Sequence, residues 1–267
     1  MTDHLTDLEN ESIFIIREAY AKIKNLALLW SMGKDSTILL HLVKKAFLGH
    51  CPVPLVHIDE SYEPDEMIAW RDDYVQRNKL RLIVGQNRKA LSEGMGPQMG
   101  RLVCCGALKT QALQETVAEH KIQGLMVGIR RDEEGSRGKE RIVSPRSSSG
   151  AWAYKDQPAE IWNYYNLHGP KDVHLRVHPI LHWTELNVWE YILQESIEVI
   201  PLYFARDGKR YRSLGCAPCT GAVESGATNV EQIIEELKIS NQSERAGRAH
   251  DQEETYALQK LRSSGFM

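Results

Sequence analysis

The segment Leu26–Trp30 is a short apolar run that ends in the turn Ser31-Met32-Gly33-Lys34-Asp35-Ser36, and apolar residues recur at helical spacing from Ser36 to Phe47. That pattern reads as strand, tight turn, helix, and the chain repeats it. Pro54–Ile58 ends at Asp59 and leads to a helical stretch at Met67–Val75. Leu80–Val84 supplies a third strand, and a helix at Leu108–His120 runs into the strand Leu125–Val127, closed by Gly128. Such alternation predicts a parallel sheet with helices on both faces. An amphipathic helix around Glu9–Ile23 precedes the first strand. A long polar segment from Ile129 to about Asp172 follows the fourth, then a strand at Leu175–Ile180 and a helix capped by Thr184 with Glu185 close behind. The expectation is a doubly wound α/β nucleotide-binding domain over residues 1–200. Residues 201–267 are expected to form a helical C-terminal extension packed on it: a Cys-containing turn, a helix at Val230–Ile239 and a charged tail. Ligands of such sheets bind beyond the carboxyl ends of the strands, so the turns after strands one, two and four form the expected site.

Composition narrows the class. The 267 residues suffice for a full core, and 33 Lys and Arg against 36 Asp and Glu give a formal charge of -3, which excludes a polybasic nucleic-acid binder. The opening MTDHLTDLENE is acidic and polar, and no apolar run approaches the ~20 residues that span a bilayer. A cytosolic protein without a membrane segment is expected. Five cysteines in a reducing compartment favour metal binding or redox chemistry over disulfides.

A turn of Ser31, Gly33 and Ser36 between strand and helix makes an anion cradle, because free amides and hydroxyls converge where the helix dipole is positive. Walker A spacing is absent, so the cradle suits a pyrophosphate rather than a γ-phosphate gripped by lysine. Three such residues alone would be read as a tight turn with a capping serine. Arg130, Arg131, Arg137 and Arg141 follow the fourth strand's carboxyl end, where guanidiniums can clamp oxyanions bidentately and Asp132 and Glu133 can orient them. Asp59, ending the second strand, is a ribose or magnesium contact or an ordinary helix cap. The adjacent Cys104-Cys105 and the spaced Cys216-x-x-Cys219 are each ambiguous alone: buried core for the first, zinc or a redox couple for the second. Cys51, beside Pro52, reads as core.

These residues together resemble the adenine-nucleotide α-hydrolase superfamily, in its branch of sulfate adenylyltransferase small subunits and phosphoadenosine-phosphosulfate reductases. The likeness spans nearly the whole chain. The Ser-x-Gly-x-Asp-Ser loop is matched by Ser31, Gly33, Asp35 and Ser36, and the arginine stretch by Gly128 through Arg141. Pro201-Leu-Tyr, Leu214-Gly-Cys, Gly221-Ala-Val-Glu-Ser225 and Ser243-Glu-Arg-Ala-Gly-Arg248 match as well. The resemblance implies ATP cleaved between its α- and β-phosphates, with Mg2+ on the leaving group. Ser31, Gly33, Lys34, Ser36 and Thr37 would hold the pyrophosphate. Asp59, Gly128, Arg137 and Arg141 would complete the nucleotide contacts, and Ser31, Asp35, Ser36, Lys109, Arg130 and Arg131 would be catalytic. Cys104-Cys105-x-x-x-Lys109 with Cys216-x-x-Cys219 is similar to the ligand set of a [4Fe-4S] cluster in adenylylsulfate reductases, with zinc the alternative.

Two departures sharpen the resemblance. The reductases carry a nucleophilic Cys in a C-terminal tail, and no Cys follows Cys219 here. The sulfurylase small subunits, which work with a GTPase partner, generally lack the Cys pairs and carry a longer insertion where only Phe204–Ser213 stands. A sulfurylase-like chain with a cluster set resembles the ATP pyrophosphatase subunits of DNA phosphorothioation systems. That likeness implies a cysteine desulfurase as sulfur donor, and DNA or DNA-modifying proteins as partners. The alternatives are a sulfate adenylyltransferase small subunit, and a reductase-like or metal-binding module without turnover. The charged tail has two places to pack, the core or a second copy in a homodimer.

Overall fold

Short apolar runs form the middle of the sheet in the computed structural model, which describes residues 3–147, 150–155, 157, 159–160, 164–167, 174–240, 242–245 and 265. In chain order the elements begin α1 (Asp3–Lys22), β1 (Leu26–Leu29), α2 (Lys34–Ala46), β2 (Leu55–Ile58), α3 (Asp65–Arg77), β3 (Leu82–Gly85) and α4 (Arg88–Ser92). Next come α5 (Arg101–Cys105), α6 (Ala112–Glu119), β4 (Gly124–Val127), β5 (Val143–Arg146), β6 (His174–Val177) and α7 (Glu185–Gln194). The ribbon strands β7 (Lys209–Arg210) and β8 (Val223–Glu224) precede α8 (Val230–Ile239).

Six strands pair in the order β3-β2-β1-β4-β6-β5, all neighbours parallel except β5, which runs antiparallel to β6. Every residue of β1, β2 and β4 is buried, as expected where helices cover both faces of a parallel sheet. The chain winds from β1 outward to β3 and returns to lay β4 on the other side of β1. The order therefore reverses between β1 and β4, which opens a crevice at their carboxyl ends. Leu29 pairs with Val127 there, so the turn after β1 lies beside Gly128. A Cβ on Gly128 would stand 2.9 Å from the carbonyl carbon of Asp35 and the amide nitrogen of Ser36, so only glycine lets α2 start this close to β4.

Three features differ from the sequence reading. The polar stretch after β4 contains a strand, β5, whose Val-Ser-Pro-Arg gives no apolar alternation. Proline is tolerated because the strand is an edge. The strand expected to reach Ile180 ends at Val177. The helix expected from Leu108 starts earlier and takes in Cys104 and Cys105, since α5 starts at Arg101 and continues through a π-helical turn, Gly106–Gln111, into α6. In the extension, Ala227, Ile233 and Ile234 join the same apolar core as Val188 and Ile192 of α7. Asp172 and most of the tail beyond Arg245, including Arg248, lie outside the described residues.

Candidate active site

The turn after β1 combines an unusual backbone with paired hydroxyls. Met32 adopts φ 57 although it is not glycine, a strained conformation of the kind that collects at functional turns. Gly33 caps α2 in an extended conformation and supplies no side-chain cap, so the first-turn amides beyond Lys34 are left for other acceptors. The Ser31 and Ser36 hydroxyls approach to 3.4 Å, and the Ser36 hydroxyl donates to the Gly33 carbonyl at 3.1 Å. The Lys34 amide donates to the Tyr203 hydroxyl at 2.8 Å. Tyr203, fully buried, is pushed up to about 12 by that burial. Thr37 serves the core instead: its hydroxyl accepts from the Trp30 indole at 3.3 Å, and only 1% of the residue is exposed.

Beneath the turn lies an ion network. Lys34 pairs with Asp35 at 3.2 Å and with Glu244. Arg130 donates to Asp35 at 2.6 Å, to Asp132 at 2.5 Å and to Glu244. Burial opposes the charges of Lys34 and Arg130, yet the carboxylates around them hold both pKa values above the ordinary range. Burial would likewise raise Asp35, but Arg130 and Lys34 hold it below the usual carboxylate range. The Arg130 side chain is 0% exposed and the Lys34 side chain 1%, so both cations are already committed to protein carboxylates. This corrects the expectation of a phosphate clamp at Arg130. Arg131 also turns away, donating to the Glu140 carbonyl at 3.1 Å. At Arg141 it is the backbone carbonyl that is engaged, by His178 Nδ1 at 2.7 Å.

The crevice itself is a cavity of about 160 Å³. Of the residues singled out from the sequence, Ser31, Gly33, Lys34, Asp35, Ser36, Lys109, Gly128, Arg137, Cys216 and Cys219 line it; Thr37, Asp59, Arg130, Arg131 and Arg141 do not. Asp59 instead accepts the Ser61 amide at 2.7 Å, the local turn that an Asp at a strand end commonly makes. Its neighbour Glu60 faces the cavity and pairs with Lys109 at 2.7 Å, while Glu63 lines the same wall and pairs with His57 at 2.9 Å. Burial pushes Glu63 up. Glu133, Tyr203, Glu244 and Arg245 complete the wall. Sequence reasoning named Glu133 only as orienting the arginines, and it missed Glu60, Glu63, Tyr203, Glu244 and Arg245 as wall residues. The family motifs around Tyr203 and Ser243–Arg245 were the available signal, but which of their side chains point inward depends on the tertiary fold.

A second, smaller cavity of about 10 Å³ adjoins the first, and Glu60, Lys109, Cys216 and Cys219 line both. All four cysteines, Cys104, Cys105, Cys216 and Cys219, meet around it. Lys109 reaches this shared wall from the π-helical turn, a local defect often found at functional positions. Burial pushes Cys105 up to about 11 and raises Cys104. The hydrogen bond between Cys216 and Cys219 raises the former and lowers the latter to about 7. Among the described residues, no three His, Cys, Asp or Glu side chains stand in a ready coordination group. Cys51 sits apart, its thiol bonded to the Val53 carbonyl.

The chain can now be placed among known proteins. Residues 25–222 match the phosphoadenosine phosphosulfate reductase domain. Sulfate adenylyltransferase subunit 2 of Myxococcus xanthus is 42% identical, covering 98% of this chain and 96% of that protein. Its counterpart in Saccharophagus degradans is 41% identical, covering 98% and 97%. These alignments run over 294 positions, more than the 267 residues present, so the relatives carry stretches that this chain lacks. Among solved structures, the FMN adenylyltransferase of Candida glabrata superposes with TM-score 0.58 at 17% identity, covering 97% of this chain and 80% of that one. The phosphoadenylyl-sulfate reductase of Candida auris gives 0.51 at 13%, covering 76% and 90%. Both establish the same α/β fold. The relatives overturn the partners expected from the sequence: a cysteine desulfurase and DNA have no place beside proteins named as a subunit of sulfate adenylyltransferase. Among the described residues no helix is long and apolar enough to cross a membrane. The chain belongs to the phosphoadenosine phosphosulfate reductase domain family, in the company of the sulfate adenylyltransferase subunit 2 proteins.

Proposed function

We propose that the chain is the nucleotide-activating subunit of a sulfate adenylyltransferase, joining sulfate to the α-phosphorus of ATP with release of pyrophosphate. The observation that carries this reading is whole-length likeness: 42% identity across 98% of the chain to a protein of that name. The crevice supports it chemically. First-turn amides of α2 with the Ser31 and Ser36 hydroxyls form a cradle for the departing pyrophosphate, and Lys109, Arg137 and Arg245 add positive charge along the wall. A sulfate oxygen attacks the α-phosphorus, the bond to the β-phosphate breaks, and the pyrophosphate leaves on the side of the serine turn. Magnesium bound with the nucleotide would neutralise charge on that leaving group. Sulfate is already an anion at neutral pH, so positioning and charge stabilisation outweigh any general base.

The word "subunit" in the relatives' names, and the GTPase partner that the resemblance implies, make a companion chain part of this reading. The experiment is pyrophosphate release by the purified chain, alone and with a GTPase large subunit of a close relative. Release that depends on sulfate supports the proposal, and release of ADP overturns it.

The four cysteines are the donor set of an iron–sulfur cluster or a zinc site, and they surround one void. That void is atom-sized and no three of its ligand side chains stand in a ready coordination group, so either metal requires the thiols to move, and a four-iron cluster requires more room than a single zinc ion. We infer a metal site on Cys104, Cys105, Cys216 and Cys219. Anaerobic purification followed by iron, sulfide and zinc analysis identifies the metal, and metal-free folded protein refutes the site.

A further inference from the structure

Glu244 lies in a segment to which no role has yet been assigned. Its two carboxylate oxygens bond different cations, Lys34 of the serine turn and Arg130 of the loop after β4, across sequence separations of 210 and 114 residues. The segment is held on both flanks of this glutamate. On one side Arg212 donates to the Gln242 carbonyl at 2.9 Å, and on the other Arg245 pairs with Glu133 at 3.2 Å. The bonds also close on themselves. Arg212 is fixed by Glu185 at 2.7 Å, the Glu185 amide donates to Asp132 at 2.8 Å, and Asp132 holds Arg130, which returns to Glu244.

We propose that Glu244 is a positioning residue: it docks segment 242–245 onto the serine turn and thereby places Arg245 on the wall of the nucleotide cavity. The proposal rests on the nucleotide-binding reading above. Arg130 does not line the cavity and Lys34 is only 1% exposed, whereas the wall cations Lys109, Arg137 and Arg245, although paired to Glu60 and Glu133, keep 12, 8 and 7% of their side chains exposed, so a bound nucleotide meets loop amides, hydroxyls and these three. Of those cations, Lys109 comes from the π-helical turn and Arg137 from the loop after β4. Arg245 alone comes from the segment that Glu244 fastens.

The test is ATP binding to the full-length protein by calorimetry with magnesium, together with steady-state turnover, for wild type, Glu244→Gln, Arg245→Ala and the double variant. Loss of a charge-assisted contact predicts weakening of ATP binding by about tenfold or more in each single variant, with KM rising more than kcat falls. Because Glu244 acts through Arg245, the double variant should bind no more weakly than Arg245→Ala alone. Glu244→Asp keeps the charge but is too short to hold Lys34 and Arg130 together, so it provides the same comparison if Glu244→Gln does not fold. Additive losses, or unchanged ATP affinity in a folded Glu244 variant, would overturn the positioning role while leaving the nucleotide reading intact. A wild type that binds no ATP would overturn both.

Discussion

The two chambers share a wall and little else. The larger is built from charges brought together over long sequence distances: Lys34, Asp35, Arg130 and Glu244 come from three separate segments and neutralise one another behind the cradle. The smaller is built from thiols, of which Cys105 and Cys104 are raised by burial and only Cys219 is lowered toward neutrality. Most of its sulfur is therefore protonated at neutral pH. The first chamber is ordered by its own ion pairs before any ligand arrives. The second is tied by the Cys216–Cys219 hydrogen bond and the Lys109–Glu60 pair of the shared wall, and Cys104, Cys105 and Cys216 would gain thiolate character from a bound cation.

The sharpest way to break this contrast is at Asp35. Asp35→Ala leaves Lys34 and Arg130 buried with Glu244 as their main partner, and removing one member of such a network typically costs about 3–5 kcal/mol. The expected outcome is a large drop in the thermal midpoint together with loss of activity. Unchanged stability would show that the network is not what orders the larger chamber. Ser31→Ala with Ser36→Ala removes hydroxyls only, so it should leave the fold intact while lowering kcat by roughly 100-fold or more, as loss of donors from a preorganised anion site does. Pyrophosphate release at matched ATP checks this.

Substitution in the smaller chamber should have the opposite profile. Cys104→Ser and Cys105→Ser are expected to abolish metal retention while ATP affinity stays within about threefold, since these two cysteines line only the smaller chamber. Lys109→Met lies in both chambers and leaves Glu60 buried without its 2.7 Å partner. It should therefore weaken ATP binding by about tenfold and alter metal content in the same protein. Metal loss without any effect on nucleotide would separate the chambers completely.

The parallel core and the cradle were legible because both are local: an apolar run, a Ser/Gly turn and a helical repeat are contiguous in the chain. The arginines were legible as a cluster but not by orientation. Arg130 and Arg131 are adjacent, yet one is buried in the ion network and the other reaches the Glu140 carbonyl. Asp59 bonds its own turn while Glu60, given no role from the sequence, faces the cavity, since which of two neighbouring carboxylates does so depends on how the turn after β2 closes. Glu244 was quoted as part of a motif but given no role, because its partners lie more than 100 residues away. The strand β5 escaped notice because an edge strand with proline carries no periodic signal.

The smallest expected effect concerns neither chamber and so tests how far the contrast extends. On β6 and just beyond it, burial lowers His174 to about 3 and His178 to about 4, the latter despite the nearby Glu140 carboxylate. Both are neutral in the folded protein at pH values where the unfolded chain, with histidine near 6.5, takes up protons. Stability conferred by the neutral form is complete above pH 6.5 and is lost as pH falls toward 4, by about 1.4 kcal/mol per pH unit for each histidine. Urea unfolding between pH 7 and 5 should therefore show a histidine-driven decline in stability, and His178→Gln should make that decline measurably shallower. The serine variants and Cys105→Ser should keep the wild-type slope, because the hydroxyls carry no charge and burial holds the Cys105 thiol protonated throughout this window. An unchanged slope in folded His178→Gln would mean that acid acts through the carboxylates of the larger chamber, and that the two chambers and the sheet edge are not independent.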